Sequence, residues 1–135
     1  MKMIEILLVE DDPLDVINIK RNLDKLDIHY KMELARNGEE ALTFLKNRSQ
    51  DHKYPDIVLV DINMPRMNGI EFIEAVRKSE ELKHLKCFII TTSDLHYDKH
   101  SAKMLGISGY IIKPVKLDNP KSLDSFNLMI DLMNF

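Results

Sequence analysis

Short apolar runs punctuate the chain at Ile4–Val9, 57–60, 87–90 and 110–112. They are rich in Ile, Val and Leu and lack strict polar–apolar alternation, the pattern of strands buried on both faces. Residues 31–35 differ, because Met32 and Leu34 alternate there with polar side chains. That segment reads as an edge strand with one wetter face. Helical patterns fill the intervals. Pro13 suits a first helical turn, Asp12 stands where a cap belongs, and Val16, Ile19, Leu23 and Leu26 follow at helical spacing. Asn37-Gly38 signals a turn before a helix over 39–47, with Ala41, Leu42 and Leu45 inward. Residues 69–79 give a third helix with Ile70, Ile73 and Val76, or Phe72, on its apolar face. Residues 98–105 give a short fourth, stopped by Gly106. Residues 122–133 give a fifth, with Phe126, Met129, Ile130 and Met133 at helical spacing.

A strand followed by a helix, five times over, predicts an α/β fold: a parallel sheet with right-handed crossovers and helices on both faces. The 135 residues suffice for one domain with a single core, and that domain is expected to span 1–135 without a separate output domain. There is no internal repeat, low-complexity tract or linker; residues 116–122 come nearest, as a strand-to-helix connection.

Composition narrows the setting. Hydrophobic residues make up 44% and charged residues 30%, ordinary for a soluble globular protein. The net charge of −3, with Lys and Arg scattered, argues against direct nucleic-acid binding, which calls for a clustered basic face. The apolar N-terminal run is short, broken by Glu5 and followed by Glu10-Asp11-Asp12, unlike a signal peptide. No stretch approaches membrane-spanning length. A lone cysteine, Cys87, lies in an apolar run and reads as a buried hydrophobe rather than a reactive thiol. One cysteine makes no internal disulfide, so a reducing, cytoplasmic location is expected.

Ligands of open parallel α/β sheets bind beyond the carboxyl ends of the strands. Those ends carry Glu10-Asp11-Asp12, Asp61, Thr91-Thr92-Ser93 and Lys113-Pro114. Each has a plainer role when taken singly: cap, turn former, surface charge. Together they pose an electrostatic problem. Two carboxylates about 4 Å apart at an effective dielectric near 20 repel by roughly 4 kcal/mol. Lys113 offsets part of this, and a divalent cation would offset the rest. Hard carboxylate oxygens without a nearby His or second Cys favour Mg²⁺, which fills its remaining positions with water and phosphate oxygens. An aspartate so placed can act as a nucleophile toward phosphorus.

The chain resembles the receiver domains of two-component response regulators over essentially its whole length. The resemblance rests on residues 6–13 (ILLVEDDP), 61–69 (DINMPRMNG), 91–93 (TTS) and 109–114 (GYIIKP). It implies a flavodoxin-like, doubly wound (βα)5 three-layer sandwich with sheet order 2-1-3-4-5. It further implies Asp61 as phosphoacceptor, with Mg²⁺ held by Asp11, Asp61 and the backbone carbonyl of Asn63, and Glu10 acting indirectly. Thr91 corresponds to the switch hydroxyl, Lys113 to the phosphate-contacting lysine and Tyr110 to the switch aromatic. Pro65 and Gly69 shape the loop after the third strand, and Pro114 follows a cis peptide in the family. Thr92 is an alternative to Thr91, and Asp11-Asp12 an alternative to the Glu10-Asp11 pair. Residues 9–15 and 91–93 also resemble the small receivers paired with phytochrome-type or hybrid sensor kinases.

The resemblance implies a phosphoacceptor signalling protein that assists its own phosphorylation and dephosphorylation. Its partners would be a sensor histidine kinase or histidine phosphotransfer protein and an unidentified output protein. Self-association would use the face of the fourth helix, fifth strand and fifth helix. Two other readings compete. A haloacid-dehalogenase-type phosphatase would want an acid two residues after its nucleophile, where this chain has Asn63. A receiver that is never phosphorylated would be expected to lack one of the required side chains.

Overall fold

The computed structural model describes residues 3–26, 28–48, 50–51, 53–62, 64, 66–91 and 104–112, with only the backbone of Thr91, Tyr110 and Ile112. Its elements are β1 (Ile4–Val9), α1 (Pro13–Asp24), β2 (Tyr30–Ala35), α2 (Gly38–Arg48), β3 (Ile57–Asp61), α3 (Gly69–Lys78), β4 (Cys87–Thr91) and β5 (Gly109–Ile112). Every expected strand is present, the last four longer by one residue than their apolar runs. The helices expected at 98–105 (apart from its last two residues) and 122–133, and the peptide before Pro114, lie outside the described residues.

All strand pairings are parallel, in the order β2-β1-β3-β4-β5, the flavodoxin-like arrangement. The pleat sends alternate side chains to opposite faces. Ile4, Ile6, Leu8, Ile57, Leu59, Phe88, Ile90 and Ile111 meet Ile19 and Leu23 of α1. On the other face Leu7, Val9, Val58, Val60, Cys87 and Ile89 meet Ala41 and Leu45 of α2 and Phe72, Ile73 and Val76 of α3. The sheet is thus sandwiched between helices, and its central strands are buried on both faces, hence the continuous apolar runs. Edge strand β2 turns out wetter than its alternation suggests: Met32 is half-buried against the α1 core, whereas Leu34 is 44% exposed.

Polar side chains fasten the helix ends. Asp12 caps α1, its Oδ1 accepting the Leu14 N–H at 2.9 Å. Asn68 and Glu71 form a reciprocal capping box at the start of α3. Near the other end of α3, Arg77 donates to the carbonyls of Lys83 and Leu85, and to those of Leu105 and Gly106 just before β5.

Cys87 is fully buried, as its apolar context implies. Burial pushes its thiol up to about 11 from an ordinary 9.0, against the opposing pull of the Arg77 guanidinium. The folded protein therefore holds this proton more tightly than the unfolded chain. That contribution is intact below pH 9 and is lost between pH 9 and 11, a range worth about 3 kcal/mol. Urea unfolding across this range should show stability falling with pH, more steeply in the parent than in Cys87→Val. Equal slopes would contradict the buried, protonated thiol.

Candidate functional site

The register of the strands decides what shares the carboxyl edge of the sheet. Val9 pairs with Val60, and Asp61 pairs with Ile90, so Glu10 and Asp61 leave adjacent strands at one level. Thr91 ends β4 beside Ile112, the last residue of β5 and the one before Lys113. The backbone thus brings residues 10–11, 61, 91 and 112 to one edge. Asn63, Pro65, Lys113 and Pro114 lie outside the described residues, as do the side chains of Thr91 and Tyr110.

One carboxylate oxygen from each of Glu10, Asp11 and Asp61 lies within 4.8 Å of the others. Glu10 is 1% exposed and Asp61 5%, while Asp11 is open to solvent. The local backbone explains the division of labour. Glu10 Oε2 accepts the N–H groups of Asp11 (3.1 Å) and Asp12 (3.3 Å), and the Glu10 N–H donates to Ala35 O of β2 at 2.9 Å. Asp12 is committed to capping α1. The acid pair beside Asp61 is therefore Glu10-Asp11, with Glu10 bracing the turn and Asp11 exposed.

The stretch after Asp61 is closed tightly. The Gly69 N–H donates to Ile62 O at 3.1 Å, and a β-carbon on Gly69 would lie 2.4 Å from Asp61 O. Any side chain at Gly69 collides with backbone, so α3 can start this close to Asp61 only from glycine. Arg66 adopts φ 64° within this loop, and Ile62 and Met64 are buried in the core beneath it.

Sequence reasoning missed the neighbouring surface. A recess of about 420 Å³ is lined by Glu10, Asp11, Pro13, Val16, Ile17, Leu34 and Arg36. In its lining Ile17 (46% exposed) and Leu34 present apolar surface to solvent, and Leu14 of α1 is 75% exposed. The signal was available: Leu14 and Ile17 fall off the inward stripe of α1, where a solvated helix face would carry polar residues.

Residues 6–122 match the model of the response regulator receiver domain family. The chain belongs to that family. The receiver is 30% identical over 128 residues to the protein PilH of Pseudomonas aeruginosa, covering 95% of this chain and 98% of that one. The crystal structure of a two-component response regulator from Legionella pneumophila superposes with a TM-score of 0.79 at 32% identity, covering 98% of this chain and 99% of that one. The bacteriophytochrome response regulator AtBRR superposes at 0.80 with 29% identity, covering 100% and 96% respectively. Similarity thus extends to phytochrome-associated regulators, and two-component signalling is the receiver's setting. Among the described residues no helix is long and apolar enough to cross a membrane.

Three carboxylate oxygens this close repel one another unless a cation joins them. One oxygen each from Glu10, Asp11 and Asp61 is a donor set that fits a hard divalent ion such as Mg²⁺. Mg²⁺ at one hundred times its dissociation constant should stabilise the fold by about 3 kcal/mol. Asp11→Asn should melt higher than the parent in chelator and show no rise on adding Mg²⁺. A lower melting point in chelator, or an undiminished rise with Mg²⁺, would contradict the shared cation site.

Proposed function

We propose that this receiver takes a phosphoryl group onto Asp61 from a phosphohistidine of a sensor histidine kinase or histidine phosphotransfer protein, with Mg²⁺ bound beside it. The observation that carries this reading is the clustering of Glu10, Asp11 and Asp61 oxygens within 4.8 Å at the carboxyl edge of the sheet. An Asp61 carboxylate oxygen attacks phosphorus, the phosphorus–nitrogen bond breaks, and the donor imidazole leaves with the bonding pair. Bound Mg²⁺ supplies positive charge for the phosphoryl oxygens as the transfer proceeds. Asp11 and Asp61 would hold it with the carbonyl of Asn63, Glu10 keeps the turn in shape, and Lys113, the residue that follows β5, would meet the phosphoryl group. The same groups serve transfer and later hydrolysis, so the protein assists its own phosphorylation and dephosphorylation without turning over an external substrate.

The exposed apolar side chains of Ile17 and Leu34, in the recess beside the acidic pair, support a protein-borne donor over a small one. Thr91 and Tyr110 would respond to the phosphoryl group and alter the face of the fourth helix, β5 and the fifth helix. The output is then contact with another protein or with a second copy of this chain.

Incubation with acetyl phosphate and Mg²⁺ should raise the intact mass by one phosphoryl group, and Asp61→Asn should gain none. An unchanged parent mass would sink the proposal, and an equal gain in Asp61→Asn would sink the acceptor assignment. Ile17→Asp should slow uptake from a phosphorylated histidine protein about tenfold, as loss of a buried contact does, while sparing uptake from acetyl phosphate.

A further inference from the structure

The turn Asn37-Gly38 does more than join β2 to α2. The Gly38 N–H donates to Met67 O at 3.1 Å, tying the first turn of α2 to the loop after Asp61. A β-carbon on Gly38 would lie 2.6 Å from Met67 Cγ, 2.8 Å from its Cβ and 2.9 Å from its Sδ. Because Met67 Cβ is among these atoms, no rotamer change relieves the clash, and backbone must move. The α2 side is held firmly. Ala41 and Leu45 are buried in the core, and Asn37 Oδ1 accepts the Glu40 N–H at 2.8 Å. The loop is therefore the part that yields. It carries Arg66 at φ 64° and leads from Met67 into Gly69, whose N–H donates to Ile62 O and whose α-carbon packs on the Asp61 carbonyl. Arg66 and Glu39 add an exposed ion pair at 4.0 Å across the same junction.

We infer that Gly38 and Met67 are positioning residues: the bare first turn of α2 clamps Met67, and through Gly69, which packs on the Asp61 carbonyl, it fixes the end of β3 that carries Asp61. This inference rests on the Mg²⁺-dependent phosphoacceptor reading above. Groups that orient metal ligands from outside typically change metal affinity by about 10- to 100-fold when lost.

Calorimetric titration of Mg²⁺ and the Mg²⁺ dependence of phosphoryl uptake from acetyl phosphate test it on the full chain. Gly38→Ala should raise the Mg²⁺ dissociation constant and the half-saturating Mg²⁺ about tenfold, while the uptake rate at saturating Mg²⁺ stays within about twofold. Met67→Ala, which keeps the backbone bond and removes the packed side chain, should shift both about threefold in the same direction, and it serves if Gly38→Ala does not fold. Ile19→Val, on the opposite face of the sheet, controls for a general loss of stability and should leave Mg²⁺ affinity unchanged. Parent-like Mg²⁺ affinity in the folded Gly38→Ala and Met67→Ala variants overturns the clamp. An equal loss in Ile19→Val also overturns it, by tracing the effect to stability alone. A parent chain that binds no Mg²⁺ overturns the underlying metal reading, and the clamp with it.

Discussion

Repulsion among carboxylates at the carboxyl edge of the sheet is the constraint around which this receiver is organised. Glu10 and Asp61 are almost fully buried, and each contributes an oxygen to a cluster with Asp11 that spans less than 5 Å. Here the parallel register of β1 and β3 forces the first and third strand ends to the same level. A divalent cation can turn that proximity of carboxylates into binding selectivity.

Much of the surrounding architecture keeps that arrangement from relaxing. The two cores on opposite faces of the sheet fix where the strands end. Asp12 is spent on the α1 cap, which separates it from the cluster, and Glu10 is braced by the amides of its own turn. Gly69 lets α3 begin in contact with the Asp61 carbonyl, and the Asn68–Glu71 capping box holds that start in place. The loop between them is closed from within by Gly69 and met from outside by Gly38. Such rigidity would serve a cation placed at the cluster, because ligands that need not be reorganised bind a metal more tightly.

The fold was legible because buried strands of a parallel sheet cannot alternate, and these do not. Continuous Ile, Val and Leu in β1 and β3, with Pro13 and Gly69 opening helices, left little freedom in the element order. The acidic pair was legible as Glu10-Asp11 from the position of Pro13 and the end of the apolar strand, with Asp11-Asp12 as the alternative. Local sequence leaves that alternative standing, since both Glu10 and Asp12 can accept backbone amides; hydrogen bonding in three dimensions separates a brace from a cap. Leu34 misled for a related reason. Alternation says which face a side chain takes, but whether a helix reaches far enough to cover it depends on where that helix begins. The contact of Gly38 with Met67 was invisible in sequence, because it joins positions 29 residues apart that no periodicity relates.

The central claim is that this edge captures a phosphoryl group on one particular carboxylate. After incubation with acetyl phosphate and Mg²⁺, borohydride reduces an aspartyl phosphate to homoserine, and tandem mass spectrometry locates the changed residue. Homoserine at position 61 alone, and absent when Mg²⁺ is chelated, is the predicted result. Homoserine at position 11 or 12, or equal labelling in chelator, would contradict the assignment of Asp61 as a metal-assisted phosphoacceptor.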